Sequence, residues 1–169
     1  MDENRNQDNT TRWVIIGCVS VFAVVFCCAT VVVGGLYWLG SLSTDDKAQI
    51  NVTAPSSVEQ GQEYVITVDI QNISEQEITL ESVDINKNLL NGFVIETVEP
   101  SYIETYEYGG LGDEIYQTYF FQAAIPPRGS LTVTFKGAAV LSGDFSGEID
   151  VCIDSSFNCK TDIIRTLVK

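Results

Sequence analysis

The stretch YVITVDIQ, residues 64–71, places an apolar side chain at every second position. Side chains of a β-strand point alternately to the two faces of a sheet, so this period of two predicts a strand with one face in a core. The same alternation recurs in LTVTF, residues 131–135, and in IDVCI, residues 149–153. These runs indicate a mainly β domain.

Turn residues such as Pro55, Asn91-Gly92 and Pro126-Pro127 separate the alternating runs. Short strands at regular spacing favour an antiparallel, immunoglobulin-like (Ig-like) β-sandwich of about eight strands over residues 48–169, with a small barrel as the alternative. The predicted strands lie near 48–54, 63–72, 77–86, 92–99, 115–125, 130–140, 146–154 and 159–168.

Two segments carry a resemblance to a known family. APSSVEQGQEYVITVDIQNIS, residues 54–74, joins a Pro-containing turn and a Gly-Gln pair to an alternating strand, and IPPRGSLTVTFKGAAVLSGDFSGEIDV, residues 125–151, resembles a closing segment. Over most of residues 48–154 the chain resembles bacterial surface Ig-like modules of the cell-adhesion-related (CARDB) type. The resemblance implies an extracytoplasmic structural or binding module without catalytic residues.

An apolar segment precedes the β domain. Residues 13–39 contain no Asp, Glu, Lys or Arg, and a membrane-spanning helix needs about 20 apolar residues. We expect one transmembrane helix over 13–39, after a disordered cytoplasmic tail at 1–12 and before a tether at 40–47. A cleaved signal peptide, with Ser41-Leu42-Ser43 as its cleavage site, and a buried core helix are the alternatives.

Charge predicts the orientation and limits the partners. Arg5 and Arg12 precede the apolar segment and Lys47 alone follows it closely, which favours a cytoplasmic N-terminus and an extracytoplasmic β domain at the cell membrane. From Asp45 onward, 20 Asp and Glu side chains stand against seven Lys and Arg, a formal charge of −13. Nucleic acid is therefore not an expected partner, because binding phosphates needs a basic face.

Small residues recur along the predicted helix at spacings of three and four, which places them on one stripe. Small side chains let two helices approach closely, so the stripe suggests a homodimer through the helix. The alternative is a plain anchor in which the alignment arises by chance. The stripe consists of Ser20, Ala23, Cys27, Thr30 and Gly34.

Cys152 and Cys159 flank a turn at Ser155-Ser156. A hairpin with that turn sets the two cysteines opposite each other, within reach of a disulfide, and an oxidising compartment would join them. A redox-active pair and two free thiols are the alternatives.

Five tyrosines crowd into residues 102–119, together with several acidic side chains. Tyrosine gives large contact area at low entropic cost, so this segment is a candidate ligand loop for a protein or a glycan. The alternative is that several of the rings fold over the edge of the sandwich. The ligand-loop residues are Tyr102, Tyr106, Tyr108 and Tyr116, and the fifth tyrosine is Tyr119.

The sequence contains no histidine, which removes the usual general base and most zinc sites. We therefore predict no enzyme activity, no cofactor and no metal. A carboxylate stripe of Asp144, Glu148, Asp150 and Asp154 lacks the spacing of a calcium loop. Asn51 and Asn72 begin N-x-Ser/Thr patterns whose use the sequence leaves open.

Three functions follow from these features. The first is a membrane-anchored, non-enzymatic module for adhesion or protein scaffolding at the outer face of the membrane. The second is a glycan- or cell-wall-binding module that uses the Tyr-rich segment, and stacked aromatic rings on an exposed strand face would favour it. The third is a helix-driven oligomer in which the β domain is a spacer.

Overall fold

The computed structural model describes residues 47–109 and 114–169. These residues form ten strands and one short helix. The strands are β1 (Ala48–Thr53), β2 (Ser57–Val58), β3 (Glu63–Asn72), β4 (Ile78–Asn86), β5 (Phe93–Glu99), β6 (Glu104–Gly109), β7 (Ile115–Ile125), β8 (Ser130–Ala139), β9 (Gly143–Ile153) and β10 (Cys159–Val168), and the helix α1 is Lys87–Leu90.

The strands make two sheets that share one core. The four-stranded sheet has the order β1-β3-β8-β5, and the six-stranded sheet has the order β2-β10-β9-β4-β7-β6. All neighbours are antiparallel except β2 and β10. In immunoglobulin domains, strands ABED form one sheet and GFC the other, with C′ and C″ beyond C in the variable type. Here β1-β3-β8-β5 occupy the positions of ABED in one sheet, and β10-β9-β4 occupy those of GFC in the other, with β7 and β6 on the far side of β4. The predicted Ig-like β-sandwich is therefore confirmed.

The alternating runs supply the core. Ile66 and Val68 of β3, Val133 of β8, and Ile149 and Val151 of β9 are all fully buried, each facing the opposite sheet. Full burial of such a side chain stabilises the fold by about 1.5–3 kcal/mol. This burial is the physical reason why the period of two in the sequence identifies these strands correctly.

The prediction of eight strands is wrong in two places. β2 has two residues, too few for a periodic pattern, and β6 lies within the segment predicted as a ligand loop. Every residue of β6 is exposed, so no alternation between buried and exposed side chains marks it as a strand. The segment 102–119 is therefore mainly a strand pair, in which β6 pairs with β7, and not a loop.

Several predictions fall on residues 1–46, outside the described residues. They are the tail at 1–12, the transmembrane helix at 13–39, nearly all of the tether at 40–47, and the stripe of Ser20, Ala23, Cys27, Thr30 and Gly34. Within the described ranges, no helix is both long and apolar enough to cross a membrane.

Candidate functional site

The outer face of the six-stranded sheet carries a row of side chains that crosses five strands. Asp84 of β4 lies opposite Thr118 of β7 on one side and Asp150 of β9 on the other. Tyr106 of β6 lies beyond Thr118, and Thr161 of β10 lies beyond Asp150. The row through Ser82 and Phe120 flanks it on one side, and the row through Asn86, Tyr116 and Tyr108 flanks it on the other. We call these three rows together the Asp84 face.

A β-bulge in β4 decides which side chains reach this face. Between Leu80 and Ser82 the register of β4 shifts by one residue against each neighbour, but in opposite senses. Glu81 is an extra residue relative to β9, whereas β7 carries the extra residue in its pairing with β4. As a result Leu80 and Val83 both belong to the core although they are three residues apart. Without the bulge, Asp84 would point inward, because a shift of one residue reverses every side chain.

A cavity of about 290 Å³ opens on the Asp84 face. Three of its polar side chains are almost fully buried, with Ser82 1% exposed, Thr118 2% and Asp84 6%. Ser82 Oγ, Thr118 Oγ1 and Asp84 Oδ1 make no hydrogen bond of normal geometry among residues 47–109 and 114–169, although the two hydroxyls lie close enough to the Asp84 carboxylate to lower its pKa. Buried polar atoms are normally paired, so three unpaired oxygens in one cavity mark a place where a ligand can supply the missing bonds. The cavity is lined by Ser82, Asp84, Tyr106, Tyr108, Thr118, Phe120 and Ser156.

Burial dominates the electrostatics of Asp84. It raises the pKa of this carboxyl group; the nearby Thr118 and Ser82 hydroxyls oppose the rise, while the charge of Asp150 adds to it. The Tyr108 hydroxyl donates to Asp84 Oδ2 over 3.4 Å, which is long for a hydrogen bond. Burial also raises the pKa of Asp150, although the Thr161 hydroxyl donates to its carboxylate. The face therefore holds two neighbouring carboxyl groups that are compensated by hydroxyl groups and, within the described cavity wall, by no basic side chain.

Two cross-strand aromatic pairs lie on the β6 side of the Asp84 face, and three of their four rings, those of Tyr106, Tyr108 and Phe120, line the cavity. The rings of Tyr106 and Phe120 stack with centroids 5.3 Å apart, and those of Tyr108 and Tyr116 stack at 5.6 Å. Tyr106 is 47% exposed and Tyr108 37%, so both rings present surface to solvent. Burial, helped by the neighbouring carboxylates, raises the pKa of Tyr108 to about 12. Its hydroxyl therefore stays protonated at neutral pH and can donate a hydrogen bond.

The structure brings together three of the four tyrosines predicted to bind a ligand. Tyr106, Tyr108 and Tyr116 share the Asp84 face, on strands and not on a loop. Tyr102 instead meets the ring of Tyr119 edge to face, at 5.3 Å, and Tyr119 belongs to the core. The ring of Tyr102 thus packs on a core residue, as the alternative predicts, and a ligand role for the other three tyrosines stays a prediction.

The predicted disulfide between Cys152 and Cys159 is confirmed. The two residues are directly paired across β9 and β10, with Cα atoms 3.9 Å apart. Cys152 Sγ lies 3.8 Å from Asp84 Oδ2, but a disulfide sulfur has no proton to donate, so this contact is not a hydrogen bond. The bridge closes the turn that brings Ser156 to the cavity and leaves Phe157 99% exposed.

The predicted carboxylate stripe does not act as one group. Asp144 pairs with Arg165, and the Asp154 carboxylate accepts bonds from Lys47 Nζ at 2.9 Å and from the Thr79 amide at 2.8 Å. Desolvation works to raise the pKa of Asp154, but these two donors outweigh it and hold the pKa low. In the part of the chain that the structure describes, no three His, Cys, Asp or Glu side chains are placed to hold a metal ion.

The two N-x-Ser/Thr patterns lie in opposite environments. Asn51 is exposed on β1, while Asn72 is fully buried at the end of β3. Asn72 Nδ2 donates to the carbonyl oxygens of Gln76 at 2.7 Å and of Ile125 and Pro126 at 3.0 Å each. The Asn72 amide is thus a structural group in the folded domain, and only Asn51 is accessible there.

Four residues of the cavity escaped the sequence analysis: Ser82, Asp84, Thr118 and Phe120. The sequence contains one signal that identifies the face of Ser82 and Asp84. The apolar positions of β4 fall at 78 and 80 and then at 83 and 85, and that change of phase indicates the bulge. The three neighbouring β7 residues, Tyr119 to Phe121, are all aromatic, so periodicity alone does not tell which face Phe120 occupies.

Fold and face together define an Ig-like β-sandwich with a polar, aromatic-walled cavity on one outer surface. No protein-family model matches the sequence, and no curated protein is detectably similar to it.

Solved structures that resemble the chain are β-sandwich domains of varied function. A cohesin module from a Clostridium perfringens family 33 glycoside hydrolase is 7% identical, with a TM-score of 0.46 over 72% of this chain and 96% of that one. The cupredoxin domain of amoB from Nitrosocaldus yellowstonii is 10% identical, with a TM-score of 0.46 over 75% and 89%. A CARDB domain from Pyrococcus furiosus, in complex with di-metal ions, is 12% identical, with a TM-score of 0.40 over 72% and 87%. At these values no function passes from any of them to this chain.

Proposed function

We propose that the chain is a non-enzymatic recognition module for adhesion or protein scaffolding, and that it binds its partner through the Asp84 face. The observation that carries the proposal is the set of unpaired oxygens on Asp84, Ser82 and Thr118 in an aromatic-walled cavity. Such atoms are costly to bury without partners, and a bound partner would remove that cost.

The composition of the surface supports recognition. Tyrosines are enriched in recognition surfaces because they offer large contacts with few rotatable bonds, and Tyr106 and Tyr108 are half exposed beside the cavity. The exposed ring of Phe157 lies one residue from Ser156 in the cavity wall. An apolar ring of this kind adds contact area around a polar centre.

We also propose that the module acts outside the cell membrane, held there by a helix over 13–39. The support is the uncharged segment, the basic residues before it and the disulfide, since disulfides persist in oxidising compartments. Protease added to intact cells or spheroplasts tests this. The β domain should be cleaved and residues 1–12 protected, and the reverse pattern would contradict the orientation.

Site-specific photo-crosslinking on intact cells tests the face. A photoreactive amino acid replaces Tyr108 in one version of the full chain and Gln71 in the control, since Gln71 is exposed on the opposite sheet. Discrete adducts from position 108 and none from position 71 are expected. Equal labelling from the two positions, or none from 108, would contradict recognition through the Asp84 face.

Glycan binding is a second candidate, favoured by the stacked rings of Tyr106 with Phe120 and of Tyr108 with Tyr116 on an exposed strand face. Carboxylates and hydroxyls beside aromatic rings also suit a sugar. Binding of the full chain to purified cell-wall polymer, lost in Tyr106→Ala, would support this candidate. Adducts that contain protein only, together with no binding to polymer, would rule against it.

A further inference from the structure

We infer that the cavity on the Asp84 face receives the cationic end of a lysine or arginine side chain from a partner protein. The inference rests on the proposed function and names the chemistry of the partner. It starts from Asp84, Ser82 and Thr118, whose unpaired oxygens converge in one cavity of about 290 Å³. All three can accept hydrogen bonds, and an ammonium or guanidinium group offers three or five donors and no acceptor.

Charge selects a cation over a neutral group. Asp84 lies opposite Asp150 on the neighbouring strand, and no Lys or Arg of the described ranges lines the cavity. Lys87, which directly follows β4 in the chain, is paired with Glu107 of β6 at 2.5 Å. A buried carboxylate without a counter-charge destabilises the domain, and an incoming cation provides that counter-charge.

The aromatic walls fit the same ligand. Tyr106 and Tyr108 line the cavity together with Phe120, and both tyrosines expose part of their rings. A cation within about 6 Å of the centre of an aromatic ring is attracted by its electron-rich face, and the attraction is larger when water is excluded. The methylene groups of a lysine or arginine stem would meanwhile contact the rings.

Size and donor set argue against other occupants. Pockets for drug-sized ligands begin at about 300 Å³, so this cavity suits the end of one side chain better than an extended polymer. Calcium takes six to eight oxygen ligands, and among residues 47–109 and 114–169 Asp84 alone brings a carboxylate to the cavity wall. A sugar would bond to the hydroxyls but would leave the charge of Asp84 uncompensated.

The test uses the full chain in detergent micelles, labelled with 3-fluorotyrosine and followed by fluorine NMR. Probes are acetyl-lysine-methylamide and acetyl-arginine-methylamide, with the neutral Nε-acetylated lysine analogue, N-acetylglucosamine oligomers and calcium chloride as comparisons. Tyr106→Phe and Tyr108→Phe assign the two signals. We expect saturable shifts of both signals with the lysine or arginine probe and not with the neutral analogue.

Asp84→Asn should weaken binding of the cationic probes about tenfold or more, because hydrogen bonds to charged groups are among the stronger ones. The matched control is Asp69→Asn, which changes net charge equally at an exposed position of the other sheet and should leave binding unchanged. Tyr106→Ala, on the exposed edge strand, should weaken it severalfold and is a second variant if Asp84→Asn does not fold. Thermal unfolding confirms that each variant is folded.

The outcomes separate this inference from the proposed function. Equal binding of the neutral analogue, equal losses in Asp84→Asn and Asp69→Asn, or saturable shifts with calcium or sugar alone would overturn the inference. Adducts from position 108 on cells, with no response to any cationic probe, would overturn it while leaving recognition through the Asp84 face in place. No adducts from position 108, together with no response to any cationic probe, would overturn both the inference and the proposed function.

Discussion

Replacing Asn72 by Asp tests the buried amide at the end of β3. The Asn72 Nδ2 group donates to three carbonyl oxygens, and its Oδ1 accepts from the Ser74 amide at 2.9 Å and the Ser74 hydroxyl at 2.8 Å. In Asn72→Asp the donor becomes an acceptor of nearly the same shape. A buried carboxylate would then face carbonyl oxygens, whereas in the unfolded chain it would be solvated.

The expected loss can be worked out from these contacts. Two N–H protons serve the three carbonyls, and a net hydrogen bond is worth about 0.5–1.5 kcal/mol, with a further cost for each buried group left unpaired. The free energy of unfolding should therefore fall by about 2–4 kcal/mol at pH 7. Burial raises the pKa of the new carboxyl group in the folded state above the unfolded value of about 3.9. The folded state then holds the extra proton, so stability should decrease as pH rises from about 4.

Thermal and urea unfolding of the full chain, followed by near-ultraviolet circular dichroism of the tyrosines between pH 4 and 8, measures both effects. Asn51→Asp is the matched control, because the same change is made at the other N-x-Ser/Thr pattern on an exposed strand. It should lower stability by less than about 1 kcal/mol, because the new carboxylate is exposed but lies opposite Asp69 across the β1–β3 pair. If Asn72→Asp were as stable as Asn51→Asp at pH 7, with the same pH profile, the structural role of the amide would be refuted.

Three further predictions concern stability. Asp84→Asn should raise the free energy of unfolding at pH 7 by about 1–2 kcal/mol, because the domain loses stability as pH rises and a buried carboxyl group with a raised pKa ionises. The gain should vanish at acid pH, and an unfolding profile that matches the native chain at every pH would contradict the prediction. Replacing Cys152 and Cys159 together by Ser should cost about 2 kcal/mol and keep the fold, as judged by urea unfolding with and without reductant; an unchanged midpoint would show that the bridge is not formed. Gly137→Ala should cost about 1–3 kcal/mol, because the new methyl group would overlap the backbone of Val94, whose carbonyl carbon would lie 2.8 Å away; an unchanged thermal midpoint would contradict that close approach.

Side-chain periodicity predicts the central strands of the fold and fails at its margins. β3 and β8 are flanked on both sides by other strands and face the core on one side only, so their burial alternates with the period of the sequence. β9 follows the same alternation as far as Val151. β6 lies at an edge and is exposed throughout, so the hydrophobic effect imposes no pattern on it.

The candidate site, like the fold, is only partly predictable from the sequence. Of the tyrosines that crowd into 102–119, Tyr106 and Tyr108 line the aromatic side of the cavity. Asp84 stands out only when the bulge at Glu81 is recognised, because a regular strand would direct that side chain into the core. Its neighbours in the sheet are Thr118 of β7 and Asp150 of β9, and each of them is more than 30 residues away from Asp84 in the sequence.

The exposed strand β6 has a consequence for how copies of the domain behave near one another. β6 is the last strand of its sheet, so one row of its backbone amides and carbonyls is open to pairing with another chain. Glu104 and Glu107 stand on that strand, within a domain of strong negative charge. Two copies that met edge to edge would bring these carboxylates together, and like charges across a strand pair are destabilising. The acidic character of the hairpin thus acts as protection against fibre-like association, and neutralising Glu104 and Glu107 would remove a barrier to aggregation while leaving each sandwich intact.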